Sequence, residues 1–433
     1  MATAIGIDVE PLREIELDMS LDLDPDFDIF EAYEVASGNR GPQVDPYPEF
    51  HRRREEQPVY RVPEDEAGLY LPRTGDREGY IVYRYQDVSK VAQDSDTFCS
   101  AHHAEAIGLF FGHSILEMVG EEHALHRRLI QHAFKRRDLA HWKEALIPQA
   151  VNESLDSFAS RGHANLTSEL TLLYPVRVIE GMMGLPKEHL EWFHRRAIEE
   201  IGIQHDTERA LKAADLLRNY FEQVIEIRRK HPGKGDLITL LVEAEVNGKR
   251  LRNDEIIPFL MLLSPAGAET TYRATGTLLY ALLANPEQFE AVKRDRSLIA
   301  KAIEESLRWD PPLTGLTRRT TREVEFQGVR IPEGSNITGC LASANRDPEA
   351  FKPADTVDDF DLFRPRTPNL TFAGGAHVCL GQLLARAEME IALNLVIDRL
   401  PDLRFDPEQR DETFMTGEMW RSPNKLPVLW NPA

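Results

Sequence analysis

The sequence predicts a mainly α protein with a small β-rich part. Apolar residues recur at helical spacing through several long stretches, whereas the strand-like runs are short and are bounded by Gly, Pro or Asn. No linker, low-complexity tract or repeat divides the 433 residues, which favours one large globular unit with room for an enclosed pocket. We therefore expect an acidic N-terminal segment over residues 1–40 and a single domain over residues 41–433.

The helical pattern is strongest in five stretches, and four short runs have strand character. The predicted helices cover residues 144–158, 207–230, 253–283, 298–309 and 380–400. The predicted strands cover residues 79–83, 324–331, 336–341 and 426–430. Gly, Pro and Asn turns separate the strands, so helix dominates the predicted fold.

The formal net charge of −21 is incompatible with a basic surface over most of the chain. Nucleic acid or an anionic membrane would require such a surface, so neither is expected as a partner. The first forty residues carry no basic start, long apolar run or cleavage-like site. The longest apolar region, residues 256–283, is interrupted by Glu269 and Arg273 and contains two prolines, which is typical of a buried helix. We expect a soluble cytoplasmic protein.

The three cysteines form an odd and sparse set, which predicts a reducing compartment without a disulfide framework. Cys99 and Cys340 are expected to be ordinary buried thiols. Cys379 differs because it lies in the glycine-rich bend FAGGAHVCLG, residues 372–381, directly before a helical stretch. Orphan amide hydrogens and the positive end of the helix dipole stabilise a negative sulfur at such a place, and the thiolate is the form that binds metal.

A single cysteine offers only one bond to a metal ion. Zinc needs three or four clustered protein ligands, and no second cysteine or paired histidine at zinc spacing lies near Cys379 in the sequence. A metal carried by a macrocycle fits better, and haem is the natural candidate.

The bend around Cys379 resembles the haem-binding signature of cytochromes P-450, in which the cysteine thiolate is the proximal ligand of iron. Two further motifs agree in sequence and in order: Glu305-Ser-Leu-Arg308 followed by Asp310-Pro-Pro, and Ala266-Gly-Ala-Glu269-Thr270-Thr271. The resemblance extends over about residues 45–431 and identifies the chain as a member of this family. It implies the cytochrome P-450 fold, haem b bound through Cys379, and the insertion of one atom of dioxygen into an organic substrate.

The helical stretch over residues 253–283 is predicted to carry the oxygen-activating residues. Pro265 cannot donate an amide hydrogen, and Gly267 lacks a side chain, so the helix should be broken or kinked beside Ala266 and open a groove for dioxygen. The resemblance implies that Glu269 and Thr270 deliver protons there, which is general acid catalysis. In an arbitrary helix the same pair would be a solvated glutamate and a threonine bonded to its own backbone.

Haem carries two propionate groups that need basic partners. The resemblance places four candidates, His123, Arg127, Arg318 and His377, and the forked donors of arginine match a carboxylate well. A lone His or Arg is more often a surface or core residue, but His123 and Arg127 are one helical turn apart. Phe372 is expected to pack near the sulfur, although plain core packing predicts the same.

The pair Glu305 and Arg308 is expected to support the fold behind the cysteine loop rather than to catalyse. The family often adds a basic residue from the segment before the loop, but residues 356–364 carry acidic residues at the expected place, so the third partner stays unassigned. At the position after Phe372 the family usually has Gly, Ser, Asn or His. This chain has Ala373, which narrows the backbone choices and predicts a small shift without loss of haem binding.

The resemblance also indicates the substrate pocket. Its walls should come from residues 104–116, from Leu262 and Ala266, from residues 313–316 beginning with Leu313 and Thr314, and from residues 414–416. These residues are mostly apolar and favour a small hydrophobic organic substrate such as a terpenoid, aromatic compound or steroid.

No Gly-x-Gly-x-x-Gly element follows a strand, so the chain is not expected to bind its own nicotinamide or flavin cofactor. Electrons should come from a separate ferredoxin with its reductase. The basic residues between Arg127 and Arg137, together with Arg386, could steer an acidic partner toward the cysteine loop. In isolation, that basic region could equally be a solvated helix face.

Three other readings of Cys379 remain. A peroxide-driven haem-thiolate enzyme would more typically lack the pair Glu269 and Thr270. A non-catalytic haem-binding or sensor protein would keep Cys379 without needing a proton relay. A cysteine hydrolase is least favoured, because His377 is only two residues away and no separate base and orienting residue can be named.

Overall fold

The computed structural model of the protein describes residues 8–21, 31, 45–63, 77–131, 134, 136–201, 207–233 and 235–432. Sixteen α-helices form most of this part of the chain. They are α1 (Tyr47–Glu56), α2 (Tyr85–Gln93), α3 (His103–Ala106), α4 (Gly108–Phe111), α5 (Gly120–Gln131), α6 (Arg136–His141), α7 (Ile147–Asp156), α8 (Leu173–Met183), α9 (Lys187–Ile201), α10 (Thr207–Lys230), α11 (Leu237–Glu243), α12 (Asn253–Ala284), α13 (Pro286–Arg294), α14 (Ile299–Trp309), α15 (Leu341–Ala344) and α16 (Gln382–Arg399).

The strands are short and belong to several small sheets. They are β1 (Val59–Val62), β2 (Gly79–Val82), β3 (Phe98–Cys99), β4 (His163–Asn165), β5 (Glu245–Val246), β6 (Lys249–Arg250), β7 (Gly315–Thr320), β8 (Val324–Phe326), β9 (Val329–Ile331), β10 (Asn336–Cys340), β11 (Arg404–Phe405), β12 (Met415–Thr416), β13 (Ser422–Pro423) and β14 (Pro427–Leu429). The largest sheet has the order β1-β2-β10-β7-β3. Within it β10 pairs with β2 in parallel, and the other pairs are antiparallel.

Helix α12 lies at the centre of the molecule and contacts α8, α10, α14 and α16. Its N-terminus is stabilised because the Arg252 amide donates to Glu255 Oε2 over 2.8 Å, in the manner of a capping box. Buried residues on several sides, such as Ile256, Leu260 and Leu278, explain why its sequence is apolar almost all round. The 32-residue helix passes through both of its prolines without ending.

The mainly α prediction with a small β-rich part is confirmed. The helix predicted over residues 207–230 has those bounds, and the helices near 253–283, 298–309 and 380–400 shift by one or two residues at their ends. Residues 142–146 form a π-helical turn that leads into α7. The single strand predicted over residues 324–331 is instead the hairpin β8–β9, because Gln327 and Gly328 adopt φ values of +51° and +80°.

Two further expectations concern membranes and the N-terminal segment. Within the described residues, no helix combines the length and apolar character that crossing a bilayer requires. Of the segment predicted over residues 1–40, residues 8–21 are described, and Val9, Leu12, Ile15 and Leu21 belong to the same hydrophobic core as α12. The domain boundary at residue 40 stays a prediction.

Candidate active site

The glycine-rich bend is a 3₁₀ turn, Gly375–His377, followed by Cys379 and then by α16. The Cys379 amide donates to the Phe372 carbonyl over 3.0 Å, which closes the loop on itself. The backbone amides of Gly381 and Gln382, at the start of α16, are hydrogen-bonded to the Cys379 thiol. The predicted position of the sulfur at a helix N-terminus is therefore present in the structure.

Two opposing influences act on the Cys379 thiol. Burial among protein atoms is the larger one and raises its pKa, while the amides of Gly381 and Gln382 and the charges of Arg127 and Arg386 act to lower it. The residue nevertheless has accessible surface, so its sulfur lies in a recess that a ligand can reach. The helix terminus alone does not produce a thiolate, and metal binding would supply the remaining stabilisation of the anion.

The loop lies against the C-terminal end of α2 with very little space. A β-carbon on Gly375 would lie 2.6 Å from the Gln93 carbonyl oxygen, and Gly375 has a φ of +63°. Both facts require glycine at this position. Ala373 also adopts a left-handed conformation, with a φ of +56°, which is uncommon for a residue with a side chain. The predicted narrowing of the backbone choices at Ala373 thus appears as a strained alanine.

The four predicted basic residues come together beside the loop. The rings of His123 and His377 stack with centroids 4.0 Å apart, and Arg127 donates to the Val378 carbonyl over 2.7 Å. Arg318, on β7, is buried, and burial lowers its pKa to about 10. Burial also lowers the pKa of His377 to about 3, and the nearby His123, Arg318, His103 and Arg127 act in the same direction.

His102 and His103 join this group and were not anticipated from the sequence. Their rings lie 3.9 Å apart, and burial followed by the charge of Arg318 lowers the pKa of His102 to about 3. They approach Arg318 because β3, which ends at Cys99, pairs with β7. A pairing of two residues per strand leaves no periodic signal, so sequence spacing could not have found them.

The group is well matched to the two carboxylates of a haem. It brings four histidines and two arginines close together in a mostly buried place, and basic groups lower the pKa of both His377 and His102 there. In the described part of the chain, His123 Nε2 and both ring nitrogens of His102 have no hydrogen-bond partner. Buried donors of this kind are costly unless they are paired. Two propionates near them, with iron on the Cys379 sulfur, would satisfy both features.

On α12, the predicted acid and alcohol have different partners. The buried carboxylate Oε1 of Glu269 lies 3.2 Å from NH2 of Arg273, so the glutamate is not solvated. The Thr270 hydroxyl donates to the Ala266 carbonyl over 3.1 Å, as a threonine in an ordinary helix can. Ala266 is exposed and Thr270 is partly exposed in the middle of an otherwise buried helix, so this face borders open space.

Gly267 has a packing role that the sequence did not reveal. A β-carbon at this position would lie 2.5 Å from Ile179 Cδ1 on α8. The glycine therefore lets α8 and α12 approach closely, and α12 continues without a break through Pro265 and Gly267. The predicted opening of a groove by these two residues is not needed to explain them.

The buried pair behind the cysteine loop is complete. Arg308 donates to both carboxylate oxygens of Glu305 over 2.8 and 2.7 Å and also to the carbonyls of Asn345, Val357 and Asp359. The unassigned third partner is Arg364, whose Nε lies 3.3 Å from Glu305 Oε1. Arg364 is the last residue of the segment 356–364, whereas the arginine was expected earlier in that segment, where acidic residues stand.

The predicted pocket residues divide into apolar walls and internally bonded polar groups. Leu262 and Leu313 are partly exposed. Thr314 is buried, and its hydroxyl donates to the Glu418 carbonyl over 2.8 Å, so it supports the chain rather than facing a ligand. Leu313 forms an isolated β-bridge with Trp420, which joins the 313–316 and 414–423 segments.

The basic residues proposed for partner docking are only partly described. Arg128 is exposed on α5, whereas residues 132, 133 and 135, with the side chains of 136–138, lie outside the described part. Arg386 pairs with Glu304 and lies 4.3 Å from the ring centroid of Phe372. Its charge is therefore largely neutralised, which weakens its predicted role in steering.

Comparisons with known proteins agree on one family. The family model described as Cytochrome P450 matches residues 198–429. The putative cytochrome P450 YjiB of Bacillus subtilis (strain 168) is 32% identical, with 84% of this chain and 90% of the relative aligned. The steroid C26-monooxygenase of Mycobacterium tuberculosis (strain CDC 1551 / Oshkosh) is 30% identical over 74% of this chain and 86% of the relative. The crystal structure of CYP109E1 from Bacillus megaterium with testosterone has a TM-score of 0.80 at 28% identity, covering 90% of this chain and 100% of that one.

Proposed function

The chain belongs to the cytochrome P450 family, and we propose that it is a monooxygenase acting on a small hydrophobic organic molecule with electrons from a ferredoxin. Enzymes of this family are oxidoreductases with haem b as cofactor. In the proposed reaction one oxygen atom of dioxygen enters the substrate and the other leaves as water, which consumes electrons from the ferredoxin and protons from solvent. The observation that carries the proposal is the exposed residue Cys379 beside a buried cluster of histidines and arginines.

We assign the cofactor-binding roles to the residues that surround this recess. Cys379 would hold the iron through its sulfur, and haem would supply the redox chemistry that reduces dioxygen. His123, Arg127, Arg318 and His377 would hold the propionates. Phe372 would pack against the loop that bears the sulfur. Ala266 and Gly267 would border the opposite side of the cofactor, where the exposed surface of Ala266 supports that placement.

Glu269 and Thr270 would move protons toward the reacting oxygen. The bond from the Thr270 hydroxyl to the Ala266 carbonyl fixes its hydrogen, which leaves the lone pairs of Oγ1 to accept a hydrogen bond from water. The buried carboxylate of Glu269, one residue before, would take up and release protons for that water. The adjacent ion pair with Arg273 sets where the carboxylate points.

The substrate is proposed to be hydrophobic because the described pocket walls offer few unpaired polar groups. Leu262, Ala266 and Leu313 present apolar surface, and the Thr314 hydroxyl is bonded within the chain. The names of the similar proteins fit this class, since one acts on a steroid and another was crystallised with testosterone. A cytoplasmic location belongs to the same proposal and is supported by the free state of Cys99, Cys340 and Cys379.

The first test is the absorption spectrum of the purified, dithionite-reduced protein with and without carbon monoxide. We expect a strongly red-shifted Soret band, which reports thiolate-ligated haem. A protein without haem, or with a histidine-like spectrum, would overturn the assignment of Cys379.

The second test supplies a ferredoxin, its reductase and a set of hydrophobic compounds under ¹⁸O-labelled dioxygen. We expect a product that carries one labelled oxygen atom. Product formed with hydrogen peroxide but never with the ferredoxin would favour the peroxide-driven enzyme. A thiolate-type spectrum without any product from these compounds, whether ferredoxin or hydrogen peroxide is supplied, would favour a haem-binding or sensor protein.

A further inference from the structure

Arg273 connects the central helix to the hairpin formed by β12 and β13. Its side chain is fully buried, and it lies one helical turn after Glu269. One terminal nitrogen, NH2, lies 3.2 Å from Glu269 Oε1, and the other, NH1, donates to Ser422 Oγ over 3.1 Å. A single planar guanidinium thus joins a carboxylate on α12 to a hydroxyl on β13, which is a geometry that lysine cannot reproduce.

The hairpin is in turn fixed to the wall of the predicted pocket. The Thr314 amide donates to the Met419 carbonyl over 2.9 Å, and Leu313 pairs with Trp420. Arg421 forms a buried ion pair with Asp310 at 2.7 Å. The hairpin therefore lies as a rigid link between α12 and the segment that begins at Leu313.

The same hairpin packs closely on α12 beyond Arg273. A β-carbon on Gly276 would lie 3.2 Å from Pro423 Cδ, so glycine allows β13 to lie directly on the helix. The hairpin is thus held at Leu313 and also on α12. A movement of Leu313 would be transmitted through the hairpin to Ser422 rather than taken up by a loose loop.

We propose that Arg273 is a positioning residue: it orients the Glu269 carboxylate and ties that orientation to the pocket segment at Leu313. The inference rests on the proposed function, in which Glu269 serves proton delivery. A substrate that presses on Leu313 would reach the guanidinium through Trp420 and Ser422. Proton delivery would then be set correctly when the pocket is filled.

The test compares Arg273→Lys, which keeps the charge but loses the fork, with Ser422→Ala, which keeps the ion pair and the 3.5 Å bond to the Trp420 carbonyl but loses the bond to the Ser422 hydroxyl. Arg54→Lys is the matched control, because Arg54 is also buried and also donates to a serine hydroxyl, that of Ser343 at 3.0 Å, on a remote helix. We measure the fraction of electrons recovered in product, the solvent deuterium isotope effect, and hydrogen exchange of residues 415–423 in the resting protein.

For Arg273→Lys we expect coupling of electrons to product to fall by about tenfold with KM little changed, a larger isotope effect, and faster exchange in the hairpin. Ser422→Ala should show the exchange change with a smaller loss of coupling, and it serves alone if Arg273→Lys does not fold. Arg54→Lys should match the wild type. Unchanged hydrogen exchange of residues 415–423 in both Arg273→Lys and Ser422→Ala would overturn the inference.

Thr270→Ala separates this inference from the proposed function. If Thr270→Ala leaves coupling intact, the proton relay itself is wrong and the inference falls with it. If Thr270→Ala uncouples the enzyme but Arg273→Lys and Ser422→Ala do not, only the inference on Arg273 is overturned.

A second, independent inference concerns residues 8–21, which we call the N-terminal strap. Four donors on α9 and α10 bind backbone carbonyls of the strap: Trp192 Nε1 to Asp18 over 2.8 Å, Arg196 to Leu21 over 3.0 Å, Lys212 to Ser20 over 3.3 Å, and Arg228 to Asp8 over 2.8 Å. Val9, Leu12, Ile15 and Leu21 are buried in the main core. The strap therefore crosses both helices and is anchored by apolar and polar contacts together.

The strap precedes the part of the sequence that carries the family motifs. All of the CYP109E1 chain is covered by 90% of this chain, so about a tenth of this chain has no counterpart there. The family resemblance in the sequence begins near residue 45, which leaves the strap outside it.

We infer that the strap holds α9 and α10 against the central helix and thereby steadies the pocket wall. Helix α10 contacts the pocket segment directly, because Arg218 donates to the Phe110 carbonyl on α4. Without the strap, the buried Arg196 and Arg228 would each lose a carbonyl partner, which favours separation of the two helices from the body.

The double variant Leu12→Ala/Ile15→Ala tests this in the full chain, with Leu12→Val as a milder form. Met19→Ala is the matched control, because Met19 is apolar and on the same strap but is 45% exposed. We expect hydrogen exchange to rise by about tenfold in 187–201 and 207–230, with 299–309 unchanged, and substrate binding followed by absorption to become faster. Equal acceleration in 299–309, no acceleration in α9 and α10, or the same change in Met19→Ala would overturn the inference.

Discussion

The region behind Cys379 and the region under the N-terminal strap differ in how certain buried carboxyl groups are paired. Behind the loop, Glu305 is bonded to both Arg308 and Arg364, and all three side chains are nearly inaccessible. Under the strap, Glu180 Oε1 and both carboxylate oxygens of Glu200 have no hydrogen-bond partner in the described part of the chain. A carboxylate paired with two arginines makes a rigid support. Buried carboxyl groups without hydrogen-bond partners make it costly to pack the helix that covers them.

The difference accompanies a difference in sequence, since the region behind Cys379 contains the recognised motifs and the region under the strap contains none of them. A cofactor needs its ligand and its carboxylate partners at fixed distances, so the loop and its support are held by short hydrogen bonds. Helix α9 instead lies over a cavity of about 10 Å³ that Glu180 and Ser264 line. A space of that size admits about one water molecule, and the strap compensates for this imperfect packing from outside.

Replacing Cys379 by serine should have the largest effect in the molecule. Cys379→Ser removes the only proposed ligand of the iron while keeping the size of the residue, so we expect loss of the red-shifted Soret band and of all oxygenated product. The carbon monoxide spectrum and product analysis check both. Cys99→Ser serves as the matched control, because Cys99 is a free thiol on β3; an unchanged Soret position in Cys379→Ser would contradict the assignment.

Breaking the network behind the loop should have the next largest effect. Arg308→Met leaves Glu305 buried with one partner fewer, and removing one member of a buried ion pair costs about 3–5 kcal/mol in the free energy of unfolding. Urea unfolding followed by circular dichroism measures it. Arg52→Met removes an exposed pair with Glu49 and should leave the midpoint unchanged; equal effects of the two substitutions would refute the supporting role of the network.

The region behind Cys379 was predicted well from the sequence, and the reason is physical. Cys379, Glu305 and Arg308 lie in short local patterns, and the local pattern is what the chemistry requires. The basic cluster was found only in part, since His102 and His103 reach Arg318 through the pairing of β3 with β7. Arg364 and Arg273 were missed as partners because their roles depend on which carboxylate the fold brings near. The strap could not be predicted, because its anchors are backbone carbonyls that any sequence carries.

A β-carbon in the cysteine loop should have a smaller but clear effect. Gly375→Ala would place its β-carbon 2.6 Å from the Gln93 carbonyl oxygen at a φ of +63°, and strain of this kind costs about 1–3 kcal/mol. We expect a lower unfolding midpoint and faster loss of haem to an acceptor protein. Gly381→Ala is the matched control, because no atom lies within 4 Å of its β-carbon position and its φ is −83°. Equal haem loss from both variants would show that the loop tolerates the added atom.

The smallest expected effect sharpens the comparison from the strap side, through pH. Burial raises the pKa of Glu180 well above its ordinary value of 4.5, and Arg177 opposes this only weakly. When α9 is packed against the body of the protein, Glu180 is buried and stays protonated. When α9 separates from the body, Glu180 can ionise. The packed form therefore loses stability relative to the separated form as pH rises above about 4.5.

Three other titrating groups near α9 must be separated from Glu180, and one of them is His189, whose pKa is lowered by burial. Burial raises the pKa of Glu200 in the same direction, against the charge of Arg218. Burial lowers the pKa of His194 to about 4, so above about pH 7 His194 is neutral in both forms and contributes no slope. Comparing the wild type with a Glu180 variant at each pH removes the contributions of these other groups, because both proteins carry them.

Glu180→Gln removes the Glu180 contribution while keeping a polar side chain of the same size. We expect the ratio of hydrogen-exchange rates in residues 187–201, wild type over variant, to increase as pH rises above the ordinary pKa of 4.5. Taking the ratio at each pH cancels the chemical pH dependence of exchange, and residues 299–309 provide the internal reference. A ratio that stays constant from about pH 4.5 upward would mean that α9 does not open to ionise Glu180.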